Sequence, residues 1–331
     1  MENFASHLLK HYKKNARDLP WRQSPTPYNV WLSEIMLQQT TVVTVIPYFE
    51  NFTQKYPSVT DLSKASQEDV MHLWQGLGYY SRARNLHKCA KVIVEKGGLF
   101  PQTEKELLAL PGVGPYTAAA IASIAFNNKA TVVDGNVERV MSRLHRIETP
   151  LPTAKKELTL LAQKLTPNRE NALYSNAIME LGALICTPKK PKCSLCPVSQ
   201  FCASSNQDDV ESYPRKKPKK AKKVDHGNVY IIKDSTGKFY LQKRPETGLL
   251  AGLWEFPSTA WAGESTYKPS LLKTAVEEAE HIGQIRHIFT HIDLTFDVML
   301  MEVDKLSEGF DLDNLPPLPT LMKKVLKAIN L

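Results

Sequence analysis

Apolar residues recur at helical spacing through the first 185 positions of the chain. Residues 2–14 make an amphipathic start. Between 30 and 54, Trp31, Ile35, Met36, Val42, Val43 and Ile46 suit helices broken near Thr40 and Pro47. Further helices are predicted over 66–76, capped by Ser66, Gln67, Glu68 and Asp69, and over 82–96, up to the Gly97-Gly98 stop. Segments 103–110, 116–126, 135–144, 155–164 and 171–186 complete the set. Two-residue alternation is almost absent there. Residues 213–223 are rich in Pro and Lys and read as an interdomain linker. From 228 onward strands are predicted at 229–232 and 239–243, joined by the turn Asp234-Ser235-Thr236-Gly237, then at 294–303, with a closing helix at 321–329. The pattern is a helical region followed by an α+β region. No internal repeat is found.

A length of 331 residues suits two domains, and 42% hydrophobic with 23% charged residues is a globular profile. It excludes a disordered, collagen-like or low-complexity chain. No apolar stretch of about 18 residues occurs, so no membrane span is expected. Met1-Glu2-Asn3-Phe4 has neither a basic nor an apolar leader pattern, so a cytoplasmic, nucleoid-associated location is expected. The net charge of +8 suggests an acidic partner such as nucleic acid. But Arg215, Lys216, Lys217, Lys219, Lys220, Lys222 and Lys223 carry +7 of it, leaving +1 for the rest. That run reads either as a solvated linker or as a loose phosphate contact.

Four of the five cysteines are Cys186, Cys193, Cys196 and Cys202, spaced by six, two and five residues. Four thiols so close together, without an export signal, point to a metal site rather than disulfides. The single close pair favours an iron–sulfur cluster, with structural zinc as the chemical rival. Cys89 stands alone and reads as a buried small hydrophobe.

Leu110-Pro111-Gly112-Val113-Gly114 joins two predicted helices. Its glycines permit a tight turn, and the backbone N–H groups of Gly112, Val113 and Gly114 can take a phosphate at the next helix start. An ordinary interhelical turn explains the same residues. With this hairpin, Asp134 and the cysteine spacing together, residues 1–207 resemble the helix-hairpin-helix DNA glycosylases that carry an iron–sulfur cluster. Endonuclease III-type members place a lysine two residues after the last hairpin glycine, and it attacks the sugar. Here that position is Tyr116, which rules out Schiff-base chemistry from that site. Tyr116, Trp21-Arg22, the segment Ser33-Glu34-Ile35-Met36-Leu37-Gln38-Gln39-Thr40 and the extra C-terminal domain resemble the MutY-type adenine DNA glycosylases.

The resemblance implies a multidomain fold: an all-α helix-hairpin-helix glycosylase domain with an iron–sulfur loop, then an α+β Nudix-like domain. It places a helical catalytic region at 1–212, with a six-helix subdomain at about 22–130 and a cluster subdomain at 1–21 and 131–212. A basic linker at 213–226 and a Nudix-like domain at 227–331 follow. It implies one [4Fe-4S] cluster on Cys186, Cys193, Cys196 and Cys202. It also implies a monomer acting, with no membrane association, on duplex DNA that carries adenine opposite 8-oxoguanine or guanine.

Breaking the N-glycosidic bond of adenine needs a protonated leaving base and a stabilised oxocarbenium-like sugar, duties that two carboxylates can divide. The resemblance assigns Glu34 as the acid at adenine N7 and Asp134 as the carboxylate facing C1′. It puts Tyr116 and Asn136 against the sugar and the attacking water. For Glu34 to hold a proton near neutral pH, burial must raise its pKa, and its neighbours Trp31, Ile35 and Leu37 suit that. Asp134 also reads as a plain helix N-cap. Trp21, Arg22, Leu37 and Glu180 are implied as the pocket for the flipped base. Gln39 and Tyr79 are implied as wedges, and Thr40 and Leu77 as contacts to the opposing base.

In the C-terminal region, Arg244-Pro245 and residues 248–257 look like the opening of a Nudix-like domain. The nearest candidate for a Nudix metal motif, Ala275-Val276-Glu277-Glu278-Ala279-Glu280, lacks its Arg and its glycine frame, so diphosphate hydrolysis is not expected. The family's Phe-Ser-His reader of 8-oxoguanine is matched by Phe289-Thr290-His291, where threonine keeps the hydroxyl and adds a methyl. The rival readings are a glycosylase/lyase for oxidised pyrimidines, opposed by Tyr116, and a non-catalytic damage-binding protein, opposed by the presence of both Glu34 and Asp134.

Overall fold

The computed structural model describes residues 2–218, 221–259, 261 and 278–329. Lys219 and Lys220 of the basic run, and Ala275, Val276 and Glu277 of the candidate Nudix motif, lie outside the described residues. The chain forms two compact units: Met1–Ala65 with Asn85–Pro218, and Ser66–Arg84 with Lys219–Leu331. By their contacts, residues 66–84 group with the C-terminal residues. There Gln75 donates to the Leu318 carbonyl at 3.5 Å and Arg84 to the Ala251 carbonyl.

The helices are α1 (Glu2–Asn15), α2 (Pro20–Gln23), α3 (Pro27–Leu37), α4 (Val42–Lys55), α5 (Val59–Lys64), α6 (Gln67–Leu73) and α7 (Ser81–Glu95). They continue as α8 (Glu104–Leu107), α9 (Pro115–Ile124), α10 (Gly135–His145), α11 (Lys155–Leu165), α12 (Asn171–Leu184) and α13 (Thr320–Lys327). Their starts follow the expected cap chemistry. The side chains of Thr26, Thr41, Ser58 and Ser66 each accept a backbone N–H of the first turn, and Thr103 and Glu106 close a reciprocal capping box before α8.

The expected break at Pro47 does not occur, because α4 runs through it. Proline removes the N–H that would bond the Val43 carbonyl. Val43 is 81% exposed, so water can take that carbonyl. The chain does leave the helix between Leu37 and Val42, where Gln39 sits at φ 57°.

Two features position the first unit's chemistry. Helix α3 is buried nearly all round, with Trp31, Leu32 and Met36 fully enclosed, as a helix at the centre of a domain must be. Helix α9 is alanine-rich, and Ala118 and Ala120 are completely buried, so its backbone lies close to its neighbours. A second core joins α1, α10, α11 and α12 through Leu8, Met141, Leu158, Tyr174 and Ile178, with Cys186, Cys196 and Cys202 at its rim.

In the second unit, β1 (Lys223–Asp234), β4 (Glu280–Ile288) and β5 (Ile292–Val303) form a sheet in the order β1-β5-β4. β1 runs parallel to β5 with Val229 opposite Val298, and β4 runs antiparallel to it. Val229, Ile231, Leu294, Phe296 and Val298 face a core closed by Met322 and Val325 of α13. A small ladder joins β2 (Gln242–Lys243) to β3 (Trp254–Glu255). The expected hairpin from 229–232 to 239–243 is thus mostly not a ladder. Phe239 makes isolated bridges to Lys233 and Phe310, and Asp234 ties the turn by accepting the Thr236 and Lys238 N–H groups.

Candidate active site

Glu34 lies on the buried helix α3 and is 5% exposed. Pro115 starts α9 and places Tyr116 in its first turn. There Tyr116 Oη lies 2.5 Å from Glu34 Oε2 and 3.3 Å from Met179 Sδ on α12. Burial pushes Glu34 up to about 7; the Asp134 charge adds to that shift, while Tyr116 and Arg22 oppose it. Tyr116 is driven well above its ordinary range by burial and then by the two carboxylates.

Asp134 is the N-cap of α10, its Oδ1 accepting the Val137 N–H at 2.8 Å. Its Oδ2 accepts from Asn136 Nδ2 at 2.7 Å. Burial raises its pKa against these hydrogen bonds and the charge of Arg139. The carboxamide of Asn136 is engaged at both ends, since Arg139 Nη2 donates to its Oδ1 at 2.9 Å. The same guanidinium reaches the carbonyls of Gly182 and Cys186, both at 2.7 Å.

Glu180 is 6% exposed and accepts three hydrogen bonds. Its carboxylate accepts the Arg17 N–H at 2.9 Å, Arg17 Nε at 3.2 Å and Arg22 Nη1 at 2.5 Å. Burial alone would raise its pKa, but these donors outweigh it and hold the group below its ordinary value. Arg22 keeps one buried donor, Nε, without a hydrogen-bond partner. Trp21 packs edge-on against Phe49 at 5.4 Å, and Leu37 ends α3, half-buried.

The turn before α9 has the expected form. Gly112 sits at φ +75°, and a Cβ there would lie 2.7 Å from Asn85 Cβ. Gly114 is the N-cap and offers no side chain, so the first N–H groups of α9 lack a side-chain cap. Val113 between them is buried.

Gln39 is exposed and Thr40 half-buried beyond α3. In the second unit Tyr79 is held at φ 48°, 47% exposed, with the Arg82 guanidinium 5.5 Å from its ring. Leu77 is buried, at 5% exposure. Phe289 stacks on the buried Trp261 at 5.8 Å and meets the His287 ring at 4.5 Å. Thr290 and His291 follow it exposed, and with Tyr79, Leu249 and Phe289 they line a cavity of about 540 Å³.

After α12 the chain passes Cys186 and then two short 3-10 turns, Cys193–Leu195 and Ser199–Phe201, which bring Cys193, Cys196 and Cys202 around one small cavity. Among the described residues no three His, Cys, Asp or Glu side chains are gathered tightly enough to hold a single metal ion. Four thiols lining one cavity are the donor set that an iron–sulfur cluster takes. Burial keeps the Cys196 thiol up, at about 11, so a bound group must draw off its proton. Arg143, 1% exposed, stitches the loop together. It donates to the carbonyls of Thr187, Pro188, Val210 and Tyr213 and lies 3.3 Å from Cys186 Sγ.

Comparisons with known proteins match three segments of the chain. Residues 32–167 match the HhH-GPD superfamily of base excision DNA repair proteins, 186–202 the iron–sulfur binding domain of endonuclease III, and 228–328 the NUDIX domain. The chain is 36% identical to the adenine DNA glycosylase of Buchnera aphidicola from Acyrthosiphon pisum over 93% of its own length and 89% of that protein's. The chain belongs to the adenine DNA glycosylase family. The human member is 38% identical over 89% of this chain, which spans 66% of that longer protein. The solved structure of a thermostable thymine-DNA glycosylase is 34% identical, with a TM-score of 0.57, covering 62% of this chain and 95% of its own.

As a family member the protein is a DNA-binding glycosylase of base excision repair. Its cofactor is one [4Fe-4S] cluster, and Cys186, Cys193, Cys196 and Cys202 are the residues that would hold it. The sequence reading missed Arg17, Arg139, Arg143 and Met179. A signal did exist for two of them. Arg139 and Arg143 lie four residues apart on an amphipathic helix, on its buried side, where an unpaired charge is not tolerated.

Proposed function

We propose that this enzyme hydrolyses the N-glycosidic bond of adenine opposite 8-oxoguanine or guanine in duplex DNA. The observation that carries the reading is Glu34: a buried carboxyl, pushed up to about 7, touching Tyr116 where a lyase would carry its lysine. Protonated Glu34 gives its proton to N7 of the flipped adenine as the C1′–N9 bond breaks, so the base leaves neutral. Ionised Asp134 faces the positive charge that develops on the sugar. Water then adds to C1′, and the proton it sheds restores Glu34. Glu180, locked by Arg17 and Arg22, and the free Nε of Arg22 provide polar groups for the base. Without an amine at position 116 there is no Schiff base from that site, and the product is an intact abasic strand. The exposed Thr290 hydroxyl and His291 support a reading of the opposite base.

The test is single-turnover base release from duplexes with adenine opposite 8-oxoguanine, G, C or T, with alkali added to half of each sample. Strand breaks only after alkali, fastest opposite 8-oxoguanine, are expected. Breaks without alkali would return the glycosylase/lyase reading. Binding without release would favour the damage-binding one.

A further inference from the structure

Two acceptors compete for one hydrogen. Tyr116 Oη lies 2.5 Å from Glu34 Oε2 and 3.3 Å from Met179 Sδ, yet the phenol has a single proton to donate. A thioether sulfur only accepts. The contact therefore has two forms. In the first, Tyr116 donates to ionised Glu34 and Met179 Sδ is left without a donor. In the second, protonated Glu34 donates to Tyr116 Oη, and Tyr116 donates to Met179 Sδ. Only the second satisfies all three groups while the carboxyl holds its proton.

Building on the function proposed above, we propose that Met179 is a positioning residue for the general acid. Its thioether draws the Tyr116 hydrogen away from Glu34, so that the phenol oxygen can accept the proton Glu34 must carry into the reaction. The register of Met179 is held by its neighbour, since Glu180 is tied to Arg17 and Arg22. The titratable or charged groups facing Glu34 are Arg22 from α2, Tyr116 from α9 and Asp134 at the start of α10. Of these, Tyr116 acting as a donor and Arg22 favour the ionised carboxylate. Met179 weakens the larger of those two effects. A leucine would fill much the same space with no acceptor, so the thioether and not its volume is what the proposal turns on.

The experiment compares the parent with Met179→Leu in the pH dependence of single-turnover kcat/KM, which reports the free enzyme. The rate falls as Glu34 loses its proton, so this limb is expected to move to lower pH by about half a unit, the scale of one weak hydrogen bond. The same substitution placed in a Tyr116→Phe background is expected to move it no further. An unmoved limb in Met179→Leu, or an equal shift in both backgrounds, overturns the proposal. Infrared titration of the Glu34 carboxyl band, identified by its loss in Glu34→Gln, reads the same shift without turnover. If the parent releases no adenine, the functional reading fails, and the infrared shift still decides the role of Met179.

Discussion

Gly182→Ala tests how closely two helices must approach to build the site. A Cβ at position 182 of α12 would lie 2.6 Å from Asn136 Cβ and 3.1 Å from the Asn136 carbonyl oxygen, in α10. Ordinary contacts need about 3.5–4 Å, so the helices must part by about 1 Å or Asn136 must move. Overpacking of this kind costs about 1–3 kcal/mol, and at about 2–4 °C per kcal/mol for a unit of this size the melting midpoint falls by about 2–12 °C. Asn136 holds Asp134 Oδ2 at 2.7 Å and is held by Arg139, so the shift passes to the carboxylate. A displacement of about 1 Å at reacting groups can cost about 10²-fold in rate. Thermal unfolding and single-turnover adenine release check the two effects. Adding Asn136→Gly removes the colliding Cβ but leaves the carbonyl contact and deletes the bonds to Asp134 and Arg139, so it is expected to recover only part of the midpoint and none of the rate. Parental stability and rate in Gly182→Ala alone would refute the reasoning.

Three further outcomes are expected. Glu34→Gln keeps duplex binding and loses base release. Its stability should also gain on the parent as pH rises. The folded carboxyl titrates near 7 and the unfolded one at 4.5, so the native state holds an extra proton between those values, and the parent's stability is fully present below 4.5 and lost as pH rises through 7. The relative gain approaches about 3 kcal/mol, and denaturation at pH 4.5 and 8 measures it. Arg143→Met leaves four carbonyls and Cys186 without their donor, which is expected to cost about 3–5 kcal/mol and to lower the iron content of the purified protein; full iron loading at parental stability would contradict this. Thr290→Ala is expected to weaken the preference for 8-oxoguanine over guanine more than it slows release, and equal rate ratios in mutant and parent would sink that idea.

Local sequence determined much of this protein. The 3.6-residue spacing, the Ser, Thr and Asp caps and the Gly112–Gly114 turn mark the helices because each acts within a few residues of itself. The cysteine spacing carries the cluster loop for the same reason. Strand β4 was missed because its register shifts between His281 and Gly283, and that irregularity breaks the alternation that reveals a strand. The tertiary structure alone decided the electrostatics. Glu34, Tyr116 and Met179 are 82 and 63 residues apart along the chain, and no short-range pattern reports that one phenol touches the other two. The same holds for Arg17 on Glu180 and for Arg139 between Asn136 and the Cys186 carbonyl. A residue's type states which hydrogen bonds it can make; burial and neighbours from distant segments decide which it makes and where its proton resides.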